Sequence, residues 1–303
     1  MNINKKFFSK IGFNYLALAI IALAAEIIMF NLLNIINPNY LNNPNLISSL
    51  TSICNYIIPL PLFYGLMKKI EITKLEKSKL NTKTFIIFLG ISLTLMWIGN
   101  ILGLTTTSLL SRITHNDITN PVQQLISSID IWLNFFIISI IAPIFEEIIF
   151  RKIIIDRTIK YGVKVSILLS AIIFALFHGN LNQFFYTFLI GGFFAYVYVK
   201  TGNIIYSIIL HMAVNLMGSV VSLTVAQSFI NLQLSFNIFD VSIIIIYLII
   251  LILSFCIGLA SLFKFRDKLF IKLEIPYKTV FLNYGMICFI AFYIFEMIYQ
   301  VLG

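Results

Sequence analysis

Apolar residues fill most of this chain in long stretches, which short polar segments separate. A helix needs about 20 mainly apolar residues to cross a bilayer. Nine stretches approach that length, and they occupy residues 12–37, 47–67, 84–110, 129–156, 164–181, 183–200, 203–227, 239–263 and 279–301. Because the bilayer core offers no partners for free backbone groups, spanning segments must be helical. The pattern therefore predicts an all-α fold, a polytopic transmembrane helical bundle of about eight to nine spans in a single integral membrane domain over residues 1–303.

Composition agrees with this prediction and argues against a soluble protein and against a nucleic-acid-binding protein. The chain is 60% hydrophobic and 11% charged, whereas a soluble domain has about 25% charged residues. The net charge of +9 comes from short basic clusters between apolar stretches. No basic patch is interleaved with aromatic residues in the way that nucleic-acid binding requires. We therefore expect membrane lipid, and not nucleic acid, as a partner.

The positions of lysine and arginine predict the orientation, because cytoplasmic loops carry an excess of these residues. Five alternate segments hold 20 of the 21 basic residues, namely the N-terminal segment and residues 68–83, 151–164, 200–202 and 264–278. The other loops hold only Arg112. The distribution predicts a multi-pass protein of the cell membrane with a cytoplasmic N-terminus. The first apolar stretch continues well past the roughly 7–15 residues of a signal-peptide core, so we expect an uncleaved first helix.

Six polar residues stand inside the predicted spans, where a charged side chain is costly and usually functional. They are Glu146, Glu147, Arg151, His178, His211 and Asn215. At about 1.5 Å per residue, the fourth, fifth and seventh spans place Glu146, His178 and His211 roughly 16, 21 and 14 Å from the same side of the membrane. This agreement in depth predicts one shared polar cavity. By contrast, Glu26 and Glu296 each stand alone in a span, and we expect them to be structural.

Helical spacing predicts how these side chains meet. Glu147 and Arg151 are four residues apart, so they share a face and can pair, which leaves Glu146 free to accept a proton from water. A carboxylate of this kind can act as a general base. His211 and Asn215 are also four residues apart, and they can stabilise an oxyanion. Such a set suffices to hydrolyse an amide without a serine or cysteine nucleophile, although a Glu–Arg pair or a histidine in a span can also be purely structural.

Three motifs in order carry a resemblance to a known family. They are Glu146-Glu147-x-x-x-Arg151, Phe174-x-x-x-His178 and His211-x-x-x-Asn215. Together, over residues 130–217, they resemble the CPBP family of CAAX-protease and bacteriocin-processing membrane proteins, also called Abi, which includes the type II CAAX prenyl endopeptidases. The resemblance implies an intramembrane endopeptidase with a catalytic core at 130–217 and a site reached from the cytoplasm. Residues 228–303 would hold two additional C-terminal spans.

The same resemblance implies a role for each motif residue. Glu146 would activate a water molecule, with Glu147 and Arg151 supporting it. His178 would position the water or carry the proton, and His211 and Asn215 would form the oxyanion site.

Metal use stays open at this point. We favour no cofactor, because the chain has no H-E-x-x-H helix that would supply two zinc ligands. Zinc remains the alternative, since two histidines and a glutamate match a three-ligand catalytic site. In that case Glu146, His178 and His211 would be the ligands.

Alternative functions also stay open. The expected substrate is a membrane-associated peptide or a lipidated protein. A non-catalytic bacteriocin-immunity or scaffold protein of the same family is the main alternative. A transporter with a proton relay is less favoured, because inverted repeats and paired broken helices are not evident. The outer loop at 111–128, with His115 and Asp117, is expected to have no chemical role.

Overall fold

The computed structural model describes residues 3–265 and 274–302 of the chain. All regular secondary structure in these residues is helical, which confirms the predicted all-α class. The main helices are α1 Ile3–Ile36, α2 Pro44–Lys68, α3 Thr82–Thr114, α4 Ile131–Tyr161, α5 Val163–Phe177, α6 Leu181–Thr201, α7 Ile204–Leu234, α8 Ile238–Phe265 and α9 Tyr284–Leu302. Each overlaps one predicted stretch, and the protein is a multi-pass membrane protein.

Eight of the described helices are long and apolar enough to cross a membrane. The exception is α5, whose 15 residues extend about 22 Å at 1.5 Å per residue, against about 30 Å of hydrocarbon. The last two helices lie within the predicted C-terminal pair of spans. That these helices are an addition to a family core stays a prediction.

Asparagine side chains mark where several helices begin. The side chain of an asparagine directly before the first turn accepts a hydrogen bond from a backbone N–H of that turn. This N–H has no acceptor within the helix. This occurs at Asn43, Asn81, Asn120, Asn180 and Asn203. Hydropathy alone does not show where these helices begin, because a helix can extend beyond its apolar part, as α1 does.

The lysine-rich segment 69–81 crosses one end of the bundle. The backbone N–H of Thr73 donates to the carbonyl of Asp156 at 2.6 Å, and that of Ser78 donates to the carbonyl of Thr201 at 2.8 Å. The Leu80 N–H donates to the Tyr206 hydroxyl at 3.2 Å. These bonds place the ends of α4 and α6 and the start of α7 on one face, which we call the lysine-rich face. Residues 266–273 of the fifth predicted basic segment lie outside the described residues.

The opposite end of the bundle carries the connections 37–43 and 115–130. Within the second connection, the short helix Pro121–Ser128 packs against the bundle through the buried side chain of Ile126. The backbone N–H of Asp130 donates to Asn45 Oδ1 at 2.9 Å. This bond ties the start of α4 to the start of α2.

Helices α3 and α6 cross at close range because glycines face the crossing. A Cβ atom added to Gly99 would overlap the backbone of Tyr186, and one added to Gly103 would overlap the backbone carbonyl of Asn182. The crossing fixes the first turns of α6 beside the middle of α3. It therefore positions the α6 residues that line the site described below.

Candidate active site

Helix α5 ends inside the bundle at a tight turn that carries His178. Gly179 has a φ of +64°, a left-handed conformation that glycine adopts without strain. Its N–H donates to the carbonyl of Leu176 at 2.8 Å, and Asn180 Nδ2 donates to the carbonyl of His178 at 2.9 Å. Non-helical backbone at membrane depth is tolerated where it lines a cavity, and this turn meets that condition.

The two glutamates lie on a short α-helical part of α4 between two wider π-helical turns. The π-helical stretches are Asn134–Ile141 and Ile148–Ile153, and the α-helical part is Ala142–Glu147. In the first stretch the Ala142 N–H donates five residues back, to the carbonyl of Ile137. Such π-turns are frequent at functional sites.

Glu147, Arg151 and His211 form a fully buried cluster. Glu147 Oε1 lies 3.3 Å from Arg151 Nη2 and 2.9 Å from His211 Nδ1. The exposed fractions of these side chains are 0%, 0% and 3%. The predicted Glu147–Arg151 pairing is confirmed, and the same carboxylate also holds the imidazole of His211.

Arg151 is held mainly by charge and stacking. Its guanidinium carbon lies 4.2 Å from the centroid of the Phe174 ring, and its nitrogens make no hydrogen bond to the described residues. Gly191 of α6 makes room for this arrangement, because a Cβ there would lie 2.9 Å from Phe174 Cδ1 and 3.7 Å from Arg151 Nη2. Arg151 is therefore an interior counter-charge to Glu147. The prediction of orientation had counted it among the basic residues of the loop segment 151–164.

Glu146 stays outside the Glu147–Arg151 ion pair, as the helical spacing predicts, and two other helices contact it. The hydroxyl of Tyr56 in α2 donates to Glu146 Oε1 at 2.6 Å. Glu146 Oε2 lies 3.5 Å from His211 Nε2. The two ring nitrogens of His211 thus face one glutamate each. Sequence reasoning missed Tyr56, although the polar pair Asn55-Tyr56 interrupts an apolar stretch of α2.

His178 packs against Phe174, which lies four residues earlier in α5. Its Nδ1 is 2.9 Å from the carbonyl oxygen of Phe174, so Nδ1 carries the proton and donates, and Nε2 is left for the cavity. The rings of His178 and Phe174 pack edge to face with centroids 4.7 Å apart. Phe174 also packs edge to face on His211, with centroids 5.8 Å apart.

Asn215 has a partner that the sequence did not indicate. Its Nδ2 donates to the carbonyl of Ile138 at 2.9 Å. In the i to i−5 register of this part of α4, residue 143 would be the donor to that carbonyl, but Pro143 has no N–H. Pro143 therefore frees the carbonyl, and Asn215 satisfies it. The second hydrogen of the amide remains for an oxyanion, and that role stays a prediction.

These residues surround one cavity of about 780 Å³. Glu146, His178, His211 and Asn215 all line it, together with Tyr56, whereas Glu147 and Arg151 lie behind its wall. The structure thus brings the residues of three separate spans together. Part of the connection 115–130 also lines the cavity, namely Asn120, Val122, Gln123, Leu125 and Ile126. The outer loop that was expected to have no chemical role therefore borders the site.

The other two intramembrane glutamates are not isolated. Glu26 Oε1 accepts a hydrogen bond from Asn55 Nδ2 at 2.9 Å, a partner on another helix that the sequence did not indicate. The expected structural role of Glu26 stays a prediction. Glu296 approaches the turn after α5, because a Cβ on Gly179 would lie 2.9 Å from its Oε2. Neither glutamate lines the cavity.

Whether zinc takes part stays a prediction. Within residues 3–265 and 274–302, no group of three or more His, Cys, Asp or Glu side chains is placed to hold a metal ion. The hydrogen bonds at Nδ1 of His178 and Nδ1 of His211 leave Nε2 of each histidine on the cavity side, which is also how metal-ligating histidines are held. We route no chemical step through a metal.

A family model matches the part of the chain that holds the site. Residues 128–217 match the model described as type II CAAX prenyl endopeptidase Rce1-like. The matched range contains all three motifs, and it confirms the resemblance that they indicate.

Two curated relatives overlap this chain in part. "UPF0177 protein YxdF" of Lactococcus lactis is 32% identical over 113 residues, which are 37% of this chain and 61% of that protein. "Putative membrane peptidase YdiL" of Bacillus subtilis is 28% identical over 116 residues, which are 38% of this chain and 47% of that protein. This chain thus spans about half the length of the relatives that it matches. No solved structure matches it significantly.

Proposed function

We propose that this protein is an intramembrane endopeptidase that hydrolyses a peptide bond in a membrane-associated peptide or a lipidated protein. The similarity to the CAAX endopeptidase model and to a named membrane peptidase supports a membrane peptidase at the level of the family. One observation carries the finer proposal. Glu146 borders a cavity inside the bundle, with one oxygen held by Tyr56 and the other facing His211.

In this proposal Glu146 is the general base. The hydrogen bond from Tyr56 fixes Oε1, so Oε2 is the oxygen that takes a proton from a cavity water. The water oxygen attacks the peptide carbonyl carbon, and the carbonyl electrons move to its oxygen. A positioned general base contributes about 10²–10⁴-fold to the rate.

His211 is placed to stabilise the oxygen that becomes negative. Glu147 holds Nδ1 and thereby orients the ring, while Nε2 points toward Glu146 and the cavity. A protonated His211 can donate from Nε2 to the oxyanion, and the free amide hydrogen of Asn215 can add a second donor. One such donor contributes about 10²–10³-fold. During the attack, His178 Nε2 accepts a hydrogen bond from the water and so positions it. The oxyanion electrons then re-form the carbonyl, the C–N bond breaks, and Glu146 gives its proton to the leaving amine nitrogen.

The alternative is a non-catalytic member of the same family, such as an immunity or scaffold protein. It would use the cavity to bind a peptide without cleaving it. A hydrogen-bonded base beside two imidazoles inside a cavity favours catalysis, because binding alone does not need a base that is oriented at both oxygens.

The test uses the full chain in liposomes and a defined library of apolar synthetic peptides, with new peptide ends read by mass spectrometry. We expect Glu146→Gln, which keeps the shape and removes the base, to abolish cleavage. The matched control is Asp240→Asn, because Asp240 is a buried carboxylate of α8 that binds Asn231 away from the cavity. Peptide retention without cleavage by the unaltered protein would support the non-catalytic alternative.

A chelator arm tests the metal-free mechanism. We expect cleavage to continue when a chelator is added. A loss of cleavage that zinc restores would contradict the mechanism and would favour a zinc site.

A further inference from the structure

The residues that line the cavity all lie on one side of the site. In α2 they come from the first half of the helix, in α3 from Met96 onward, and in α7 from His211 onward. The short helix Pro121–Ser128 contributes as well. Among the described lining residues, none belongs to the segments that form the lysine-rich face. The cavity therefore extends from Glu146 toward the opposite end of the bundle.

The bundle is closed between the site and the lysine-rich face. Arg151, Ile154, Leu169, Phe194 and Leu210 have no exposed surface. Beyond this packed layer, the segment 69–81 crosses the helix ends and is fixed to α4 and α6 by backbone hydrogen bonds. A peptide therefore has no route to Glu146 through this half of the described structure.

The exposed members of the lining mark the mouth of the cavity. Ile101 and Leu104 of α3, Gln123 and Leu125 of the short helix, and Gly218 of α7 are exposed while they border the cavity. A Cβ on Gly218 would meet no atom closer than Met96 Sδ at 3.9 Å, so the wall is open there. The mouth thus lies between α3, α7 and the short helix, far from the lysine-rich face.

The chemistry of the wall indicates what enters. Among the described lining residues, only Glu146 and the two histidines of the proposed site can carry a charge. Six carboxamides besides Asn215 line the cavity, namely Asn55, Asn100, Asn120, Gln123, Asn182 and Gln183. Carboxamides both donate and accept hydrogen bonds, as backbone amides do. A charged side chain would find no counter-ion here other than these groups of the proposed site. The wall therefore fits an extended peptide segment without charged side chains.

We infer that the cavity opens to the extracytoplasmic side and admits an uncharged peptide segment from that side. The inference rests on the proposed peptidase function for the reaction, and on the lysine distribution for the orientation. It differs from the cytoplasmic access that the family resemblance implies. A substrate that arrives from outside the cell, or that has already been exported, fits this geometry.

Cysteine accessibility tests the direction without reference to catalysis. Cys54, Cys256 and Cys288 form no disulfide in the described structure, so a background with all three changed to alanine is practicable. Single variants Gln123→Cys at the mouth, Asn100→Cys inside the cavity and Lys77→Cys on the lysine-rich face are then exposed to a membrane-impermeant maleimide. We expect Gln123→Cys and Asn100→Cys to be labelled in intact cells, and Lys77→Cys only in inverted vesicles.

The opposite pattern, with Lys77→Cys labelled in intact cells or Asn100→Cys labelled only in inverted vesicles, would overturn the inference. Absence of Asn100→Cys labelling from both sides would also overturn it, because no open route would then reach the cavity. The labelling pattern should persist when Glu146→Gln is added. A correct pattern without cleavage in the peptide assay would reject the peptidase proposal and leave the access inference standing.

Discussion

Tyr56 of α2 donates its hydroxyl hydrogen to Glu146 of α4 across 2.6 Å. The bond joins two helices that the sequence does not show to be neighbours. It leaves one carboxylate oxygen of Glu146 facing His211. A rigid hydroxyl at this position fixes the direction of the proposed base. The ring of Tyr56 also stacks on Phe145, with centroids 5.5 Å apart, so packing of the ring helps to fix the position of the hydroxyl.

Removing this hydroxyl should weaken catalysis more than folding. A hydrogen bond to a charged group contributes about 1.5–3 kcal/mol, and each 1.36 kcal/mol of barrier changes the rate about tenfold. We expect Tyr56→Phe to lower the peptide-cleavage rate roughly 10- to 100-fold. Tyr64→Phe, at an exposed tyrosine of the same helix, is the control. Equal rates in the two variants would show that Tyr56 does not position the base.

The two adjacent glutamates should respond differently to the same substitution. Glu147→Gln removes the counter-charge of the fully buried Arg151, and breaking a buried pair from one side costs about 3–5 kcal/mol. Glu146→Gln leaves that pair intact. We expect a large loss of unfolding free energy in detergent for Glu147→Gln and a small one for Glu146→Gln. Similar losses would mean that the Glu147–Arg151 pair is not a stabilising unit.

Asn215 and Pro143 should be coupled through the carbonyl of Ile138. Asn215→Leu leaves that carbonyl without its donor, which costs about 1–3 kcal/mol for a buried group. In a Pro143→Ala background, an N–H at position 143 can reach the same carbonyl, so the cost should shrink. A double-mutant cycle on unfolding free energy measures this coupling.

A cycle with no coupling energy would contradict the link between Asn215 and Pro143. The peptide-cleavage assay distinguishes a structural role of Asn215 from a role at the oxyanion. If the double variant regains stability but not activity, the amide of Asn215 also acts on the substrate.

Local helical geometry explains why much of the site could be predicted. The Glu147–Arg151 and Phe174–His178 contacts follow from spacing of four residues along one helix. The meeting of Glu146 with His211 follows from their similar depth in the membrane. Each of these inferences requires only the spacing of residues along a helix or their depth in the bilayer. None requires knowledge of how the helices pack.

The contacts that were missed depend on tertiary packing or on irregular helix geometry. Tyr56 reaches Glu146 only because α2 packs beside α4, and no periodicity encodes that neighbour. The partner of Asn215 depends on a π-helical turn in α4, which changes the register of the hydrogen bonds. The direction of the cavity depends on how α3, α7 and the short helix Pro121–Ser128 diverge, and hydropathy contains no signal for it.

Two neighbouring glycines of α6 provide the last prediction. A Cβ at Gly191 would lie 2.9 Å from the ring of Phe174, which covers Arg151 and packs on both histidines, whereas one at Gly192 would meet only Ala171 Cβ at 3.7 Å. Alanine favours a helix over glycine by about 1 kcal/mol at either position, so the difference between the variants isolates packing. We expect Gly191→Ala to displace the ring and lower cleavage, and Gly192→Ala to leave cleavage unchanged. Equal cleavage by both variants, measured at equal folded concentration, would show that the position of Phe174 does not control the site.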